Sequence, residues 1–166
     1  MFHSPKKSTL SILVQDEAGV LTRVAGLFSR RGFNIESLAV GSCERPGLSR
    51  MTIVALSENE HEIDQIKKQL DKLIDVIEIE NLDDLPFVDR ELLLVQVKAT
   101  TKNRLEISQI VELFRGRIVD VASESLIIEI TGDQGKLKAI VELLSKYGVE
   151  SICRTGQIAL PRGSKD

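Results

Sequence analysis

The sequence predicts an α+β protein built from two consecutive βαββαβ units. Three observations carry that prediction. Short stretches rich in Val and Ile alternate apolar and polar residues, longer stretches repeat apolar residues at helical spacing, and the order β-α-β-β-α-β runs through the chain twice.

In the first half, Leu10–Gln15 reads as a strand from its alternation and β-branched residues. Val20, Leu21, Val24, Leu27, Phe28 and Arg31 follow at helical spacing, so the helix has one apolar face, and Gly32 stops it. Asn34–Cys43 is the second strand, with Ile35, Leu38 and Val40 as its apolar positions. Glu44-Arg45-Pro46-Gly47 is a turn, because Pro presets φ and Gly tolerates positive φ. Ser49–Leu56 is the hairpin partner of the second strand. Ile63, Ile66, Leu70, Leu73 and Ile74 mark a second amphipathic helix, and Val76–Asn81 closes the unit. This order is the split-βαβ, ferredoxin-like arrangement.

The second half repeats it. Glu91–Ala99 is a strand, Ile107, Ile110, Val111 and Phe114 define a helix, and Ile118–Ala122 and Leu126–Thr131 are strands joined by Ser123-Glu124-Ser125. Leu137, Ile140, Val141 and Leu144 form the last helix, ended by Tyr147-Gly148, and Val149–Arg154 is the final strand, which Ile158–Leu160 extends. The expected organisation is an extension over 1–8, a first domain over 9–82, a linker over 83–90, a second domain over 91–160 and a tail over 161–166. An echo supports duplication: Leu27-Phe28-Ser29-Arg30-Arg31-Gly32 and Leu113-Phe114-Arg115-Gly116 each end a first helix. Units of about 75 residues have marginal cores, and a sheet with both helices on one face leaves the other face to be covered. Pairing between chains, and hence a homodimer or higher homo-oligomer, is the expectation.

Composition excludes several functions. With 42% hydrophobic and 28% charged residues in 166, the chain is an ordinary globular protein, and its net charge of −3 gives no attraction to nucleic acid or anionic membrane. RNA-binding domains of this topology stack bases on strand aromatics. Leu10–Gln15 and Ser49–Leu56 contain none. No apolar run has membrane-spanning length, and the N-terminus lacks the apolar core of a signal peptide. Cys43 and Cys153 make neither a disulfide framework nor a zinc site, which fits a reducing compartment. His3 and His61 lack metal-ligand spacing, His61 reading as a cap or decoration of the second helix, and no dinucleotide or P-loop motif occurs. Asp64, Asp71, Asp75, Glu78 and Glu80 read as solvated acids around the second helix and its following strand. No catalytic and no metal site is expected.

The chemistry concentrates where the first strand passes through Asp16-Glu17-Ala18-Gly19 into the first helix. Such a join points free backbone N–H groups and the positive end of a helix dipole at one spot. On these residues alone two readings stand: a tight turn in which Gly19 relieves strain, or a site for a carboxylate or phosphate. Asn34, just past the end of the same helix, offers a paired donor and acceptor and favours an amino-acid ligand, with Asp16 as acceptor for its ammonium group. The second half has Thr100-Thr101-Lys102-Asn103 at this place and no such join.

Asp16-Glu17-Ala18-Gly19-Val20-Leu21, Arg23-Val24, Phe28, Arg31-Gly32 and Asn34-Ile35 together resemble the ACT domain, a module that binds small effectors, usually amino acids. The resemblance extends from about Thr9 to Ala159, through Leu48-Ser49-Arg50-Met51-Thr52, Gln65–Val76, Phe114-Arg115-Gly116 and Arg154-Thr155-Gly156. Over that length the chain resembles the small regulatory subunits of acetolactate synthase, also called acetohydroxyacid synthase. The resemblance implies a non-catalytic partner of a large catalytic subunit. It would activate that subunit and confer feedback inhibition by valine, leucine or isoleucine. Thiamine diphosphate, Mg and FAD would belong to the large subunit, with no cofactor in this chain. It further implies an effector held between two ACT domains by Asp16, Gly19, Val20 and Leu21 of one chain and Asn34 and Ile35 of the other. Many members carry Asn where this chain has Asp16; a carboxylate there accepts from an ammonium group but repels a misoriented carboxylate. Arg154, in a block specific to the family, is a candidate subunit contact. The implied location is the bacterial cytoplasm or the plastid stroma. A stand-alone ACT-type amino-acid sensor, without a catalytic partner, is the alternative.

Overall fold

In the computed structural model, which describes residues 5–163, β1 (Lys6–Gln15) sets Leu10, Ile12 and Val14 on one face and buries all three. Residues 1–4 of the expected extension, His3 among them, and 164–166 of the expected tail lie outside the described residues. The chain divides into two units: residues up to Val88 with those from Gln157 onward, and Asp89–Gly156.

The first unit continues with α1 (Val20–Arg30), β2 (Asn34–Ser42), β3 (Leu48–Ser57), α2 (Glu60–Leu70) and β4 (Val76–Asn81). Its sheet has the order β2-β3-β1-β4, every pair antiparallel. Val20, Val24, Leu27 and Phe28 of α1 and Ile63, Ile66 and Leu70 of α2 pack on Leu10, Ile12, Val14, Met51, Ile53 and Ala55. Helical period meets strand period in one core, as the pattern requires. The sequence sets Ile74 on the buried stripe of α2, but the structure leaves it 93% exposed. After Leu70 the chain tightens into shorter turns, Lys72 N–H donating to Gln69 O and Leu73 N–H to Leu70 O, which swing Ile74 outward. Asn59, rather than His61, caps α2, its Oδ1 accepting from Glu62 N–H at 3.1 Å.

The second unit holds most of β5 (Phe87–Lys98), then α3 (Arg104–Leu113), β6 (Arg117–Val121), β7 (Ser125–Gly132), α4 (Gln134–Ser145) and β8 (Val149–Arg154). Its order β6-β7-β5-β8 repeats that of the first sheet. Leu93, Val95, Val97, Leu126, Ile128 and Ile130 face Ile107, Val111, Leu137, Ile140 and Leu144 in a second closed core. The fold is therefore the expected pair of ferredoxin-like domains.

Three details depart from the sequence reading. The segment 83–90, expected to link the domains, carries structure of its own. Leu82–Asp84 forms a 3-10 turn with Leu82 fully buried, Asp83 Oδ1 accepts from Thr9 N–H at 3.2 Å, and β5 begins at Phe87. Ile158–Pro161 is a separate strand, β9, and groups with the first unit, where Arg162 N–H donates to Pro86 O at 2.8 Å. On the first sheet's helix-free face Thr9, Ser11, Leu13, Thr52 and Val54 are already buried within one chain, and Gln157 N–H donates to Ser37 Oγ there at 2.7 Å.

The family-specific blocks have structural work. Thr155 N–H donates to Leu92 O and Thr155 Oγ1 accepts from Leu92 N–H, so Arg154-Thr155-Gly156 lengthens the β5–β8 pairing. Arg154 itself lies 3.8 Å from Glu91 of the same chain. The two helix-end echoes use glycine differently. Gly32, at φ 73°, is the left-handed residue that closes α1, with Phe33 N–H bonded to Phe28 O. At the end of α3 that conformation falls on Arg115 (φ 53°), while Gly116 is needed because a Cβ would stand 2.9 Å from Ile130 Cγ1.

Candidate effector site

The join between β1 and α1 has the geometry of an uncapped helix N-terminus. Gly19 is the N-cap in a left-handed conformation (φ 86°), and no side chain caps the first turn. Val20 N–H reaches Glu17 O at 3.4 Å and Arg23 N–H returns to Gly19 O at 3.0 Å. The amides of Leu21 and Thr22, by their place in the first turn, have no intrahelical acceptor. The first turn contains no acidic residue, so its dipole and amides face solvent without a competing anion from the helix itself. The preceding strand is held in place from both sides: Gln15 N–H donates to Asp75 O and Asp16 N–H to Gly47 O, each at 2.9 Å.

Asp16, Gly19 and Leu21 are exposed around this spot. Val20 differs. Its side chain is buried among Val24, Phe28 and the strand residues, so the side chain serves the core and only its backbone borders the join. Asn34 and Ile35 lie elsewhere, at the start of β2, opposite Leu56 and Ala55. Asn34 is exposed and Ile35 packs against the core. The two groups stand at opposite ends of α1, whose 11 residues span about 16 Å. One chain therefore does not bring them together.

Two residues of this corner carry chemistry that the sequence reading does not assign. Asp75, expected among the solvated acids, is 7% exposed, and its Oδ2 accepts from Arg23 Nε at 2.6 Å. That hydrogen bond pushes the Arg23 guanidinium up from its ordinary value, with the charges of Asp75 and Glu17 acting in the same direction. Arg23 NH1 lies 3.0 Å from where a Cβ on Gly19 would sit. No local sequence signal pairs Arg23 with an acid 52 residues away.

The second unit fills the equivalent place. Asn103 Oδ1 accepts from Thr100 N–H at 2.7 Å, and Arg104 NH2 donates to Ala122 O at 2.7 Å and Ser123 O at 3.0 Å. A surface groove of about 310 Å³ elsewhere in the first unit is lined by Arg31, His61, Asp64, Gln65, Lys68 and Gln69, none of them an expected site residue. Among the described residues, no cluster of three or more His, Cys, Asp or Glu is placed to hold a metal ion, and no helix is long and apolar enough to cross a membrane.

Comparison with known proteins covers both units. Residues 10–78 match the family model of the AHAS small subunit-like ACT domain, and residues 90–163 match that of the small subunit of acetolactate synthase. The acetolactate synthase small subunit of Mycobacterium bovis is 51% identical over 162 residues, covering 98% of this chain and 96% of that one. The probable acetolactate synthase small subunit of Archaeoglobus fulgidus is 48% identical over 159 residues, covering 96% and 99%. The crystal structure of the small subunit from Thermotoga maritima matches with a TM-score of 0.87 at 44% identity, over 96% of this chain and 99% of that one.

Proposed function

The chain belongs to the acetolactate synthase small-subunit family, and on that premise we propose that it is the regulatory partner of a separate large catalytic subunit. It activates that subunit and confers feedback inhibition by a branched-chain amino acid, valine or a close relative, bound between the first units of two chains. Thiamine diphosphate, Mg and FAD belong to the catalytic partner, and the pair works in the cytoplasm.

The observation that carries the effector reading is the open join: a left-handed Gly19, uncapped amides at Leu21 and Thr22, and no acid in the first helical turn. An amino acid needs donors for its carboxylate and an acceptor for its ammonium group. The join offers the first, and exposed Asp16 at its mouth offers the second. Asn34 and Ile35 complete the site from a second chain, because within one chain α1 holds them away. An effector bound across two chains favours one arrangement of them. If the catalytic subunit prefers the other arrangement, binding and activation oppose each other by a coupling free energy of about 1–3 kcal/mol.

The test is reconstitution. Acetolactate synthesis by the large subunit is measured with and without this chain, then titrated with valine, leucine and isoleucine. The reading expects a rise in rate on adding the chain and a fall on adding at least one of the three. A rate indifferent to the chain would leave a stand-alone amino-acid sensor instead.

A further inference from the structure

We propose that Arg23 is the residue that selects the effector's carboxylate, with Asp75 as the anchor that holds the guanidinium over Gly19. The inference rests on the effector reading above and names the side chain behind its specificity.

A guanidinium has five N–H donors. Among the described residues Nε is the engaged donor, to Asp75 Oδ2 at 2.6 Å, and NH1 and NH2 have no hydrogen-bond partner there. Arginine–carboxylate pairs are frequently bidentate, with two parallel hydrogen bonds. This one meets it side-on and points its fork elsewhere. The direction is set by Gly19, whose Cβ position lies 3.0 Å from NH1. The anchor is rigid: the Asp75 side chain is 10% exposed and its backbone O accepts from Gln15 N–H, which ties it to the end of β1. The Arg23 side chain is 46% exposed, so it is open to solvent at the mouth of the join.

Charge makes the same case. Asp16, Glu17 and Asp75 all lie at this corner, and Arg23 is the cation the structure sets against Gly19. Two backbone amides and a helix dipole would face a carboxylate across these acids. With the Arg23 fork over Gly19, the residue that opens the helix, the join becomes selective for a planar anion. A lysine could not present that fork.

The test is calorimetric binding of valine and of valinamide, which keeps the ammonium group and the side chain but lacks the carboxylate charge. The wild-type chain is expected to prefer valine. In Arg23→Gln the valine affinity should fall about tenfold to hundredfold, the scale of one hydrogen bond to a charged group, while valinamide changes little. If both ligands weaken by the same factor, Arg23 merely shapes the loop and the proposal is overturned; an unchanged preference overturns it too. Should Arg23→Gln fail to fold by circular dichroism, Asp75→Asn keeps the arginine and releases its anchor. It should lower the valine-to-valinamide preference, and a retained preference counts against the proposal. A wild-type chain that binds none of the three branched-chain amino acids would instead overturn the effector reading itself, and this inference with it.

Discussion

The two strand-to-helix joins occupy the same place in two copies of one topology, and they use an arginine in opposite ways. At the first join Arg23 sits one turn into α1, anchored on Asp75 with its outer donors open above Gly19. At the second, Arg104 is the first residue of α3, and its NH2 is engaged by the carbonyls of Ala122 and Ser123. Neither helix start has a side-chain cap; at the second, Asn103 closes the preceding turn on Thr100 and Glu106 places an acid in the first helical turn, where the first join has none. Duplicating a fold thus does not duplicate the chemistry of its strand-to-helix joins. A ligand-ready join needs donors left unsatisfied, and those are costly unless something outside the chain satisfies them.

The sharpest way to break this comparison is Gly19→Asp. At φ 86° the new side chain is strained, and its Cβ meets Arg23 NH1 at 3.0 Å, so its carboxylate takes the guanidinium. Like-charge contact costs several kcal/mol, so valine affinity should fall by about a hundredfold or more, with inhibition lost in the reconstituted assay. The matched change Asn103→Asp at the second join should leave valine binding unaltered. Arg104→Gln is the next largest effect and has the other sign of consequence. It frees carbonyls at the second join and should cost about 1–3 kcal/mol in urea unfolding, without weakening valine binding. A binding defect there would erase the distinction between the joins.

A smaller change separates the helix ends. Arg115→Gly removes a non-glycine residue from φ 53° and should stabilise the second unit by about 1 kcal/mol, read as a higher urea midpoint. The smallest effect is electrostatic. Hydrogen bonding between them holds the Glu106 carboxyl below its ordinary value and pushes the Lys146 amine up to about 12. Their contribution is therefore present above the unfolded carboxyl value and lost as pH falls through that of folded Glu106. On the alkaline side it is lost as pH rises through about 12. Both partners are more than half exposed, so the difference between wild type and Lys146→Met should be slight and shrink in salt.

Core periodicity made the elements legible because burial on one face leaves a period that a sequence can show. Polar strand ends leave none. Lys6–Thr9 of β1 pair with Val54–Ser57 yet carry no alternation, so the strand begins earlier than its apolar pattern. The same holds for β5, where Phe87–Arg90 precede the run of Leu and Val. At the site, Gly19 and the following helix announced the join. The Arg23–Asp75 pair was illegible because long-range register brings Asp75 to it. Val20 shows the converse limit: a residue of the motif whose side chain turned out to serve the core. Asn34 was legible as a residue type, but its separation from the join by the length of α1 emerges only from the fold.

The most direct test of the central claim is a crystal structure of this chain with valine. The account predicts the ligand's carboxylate at the Leu21 and Thr22 amides beside the Arg23 guanidinium of one chain, with Asn34 of a second copy closing the site. Valine found instead at the Thr100–Arg104 join, or in the groove between Arg31 and Lys68, would contradict it.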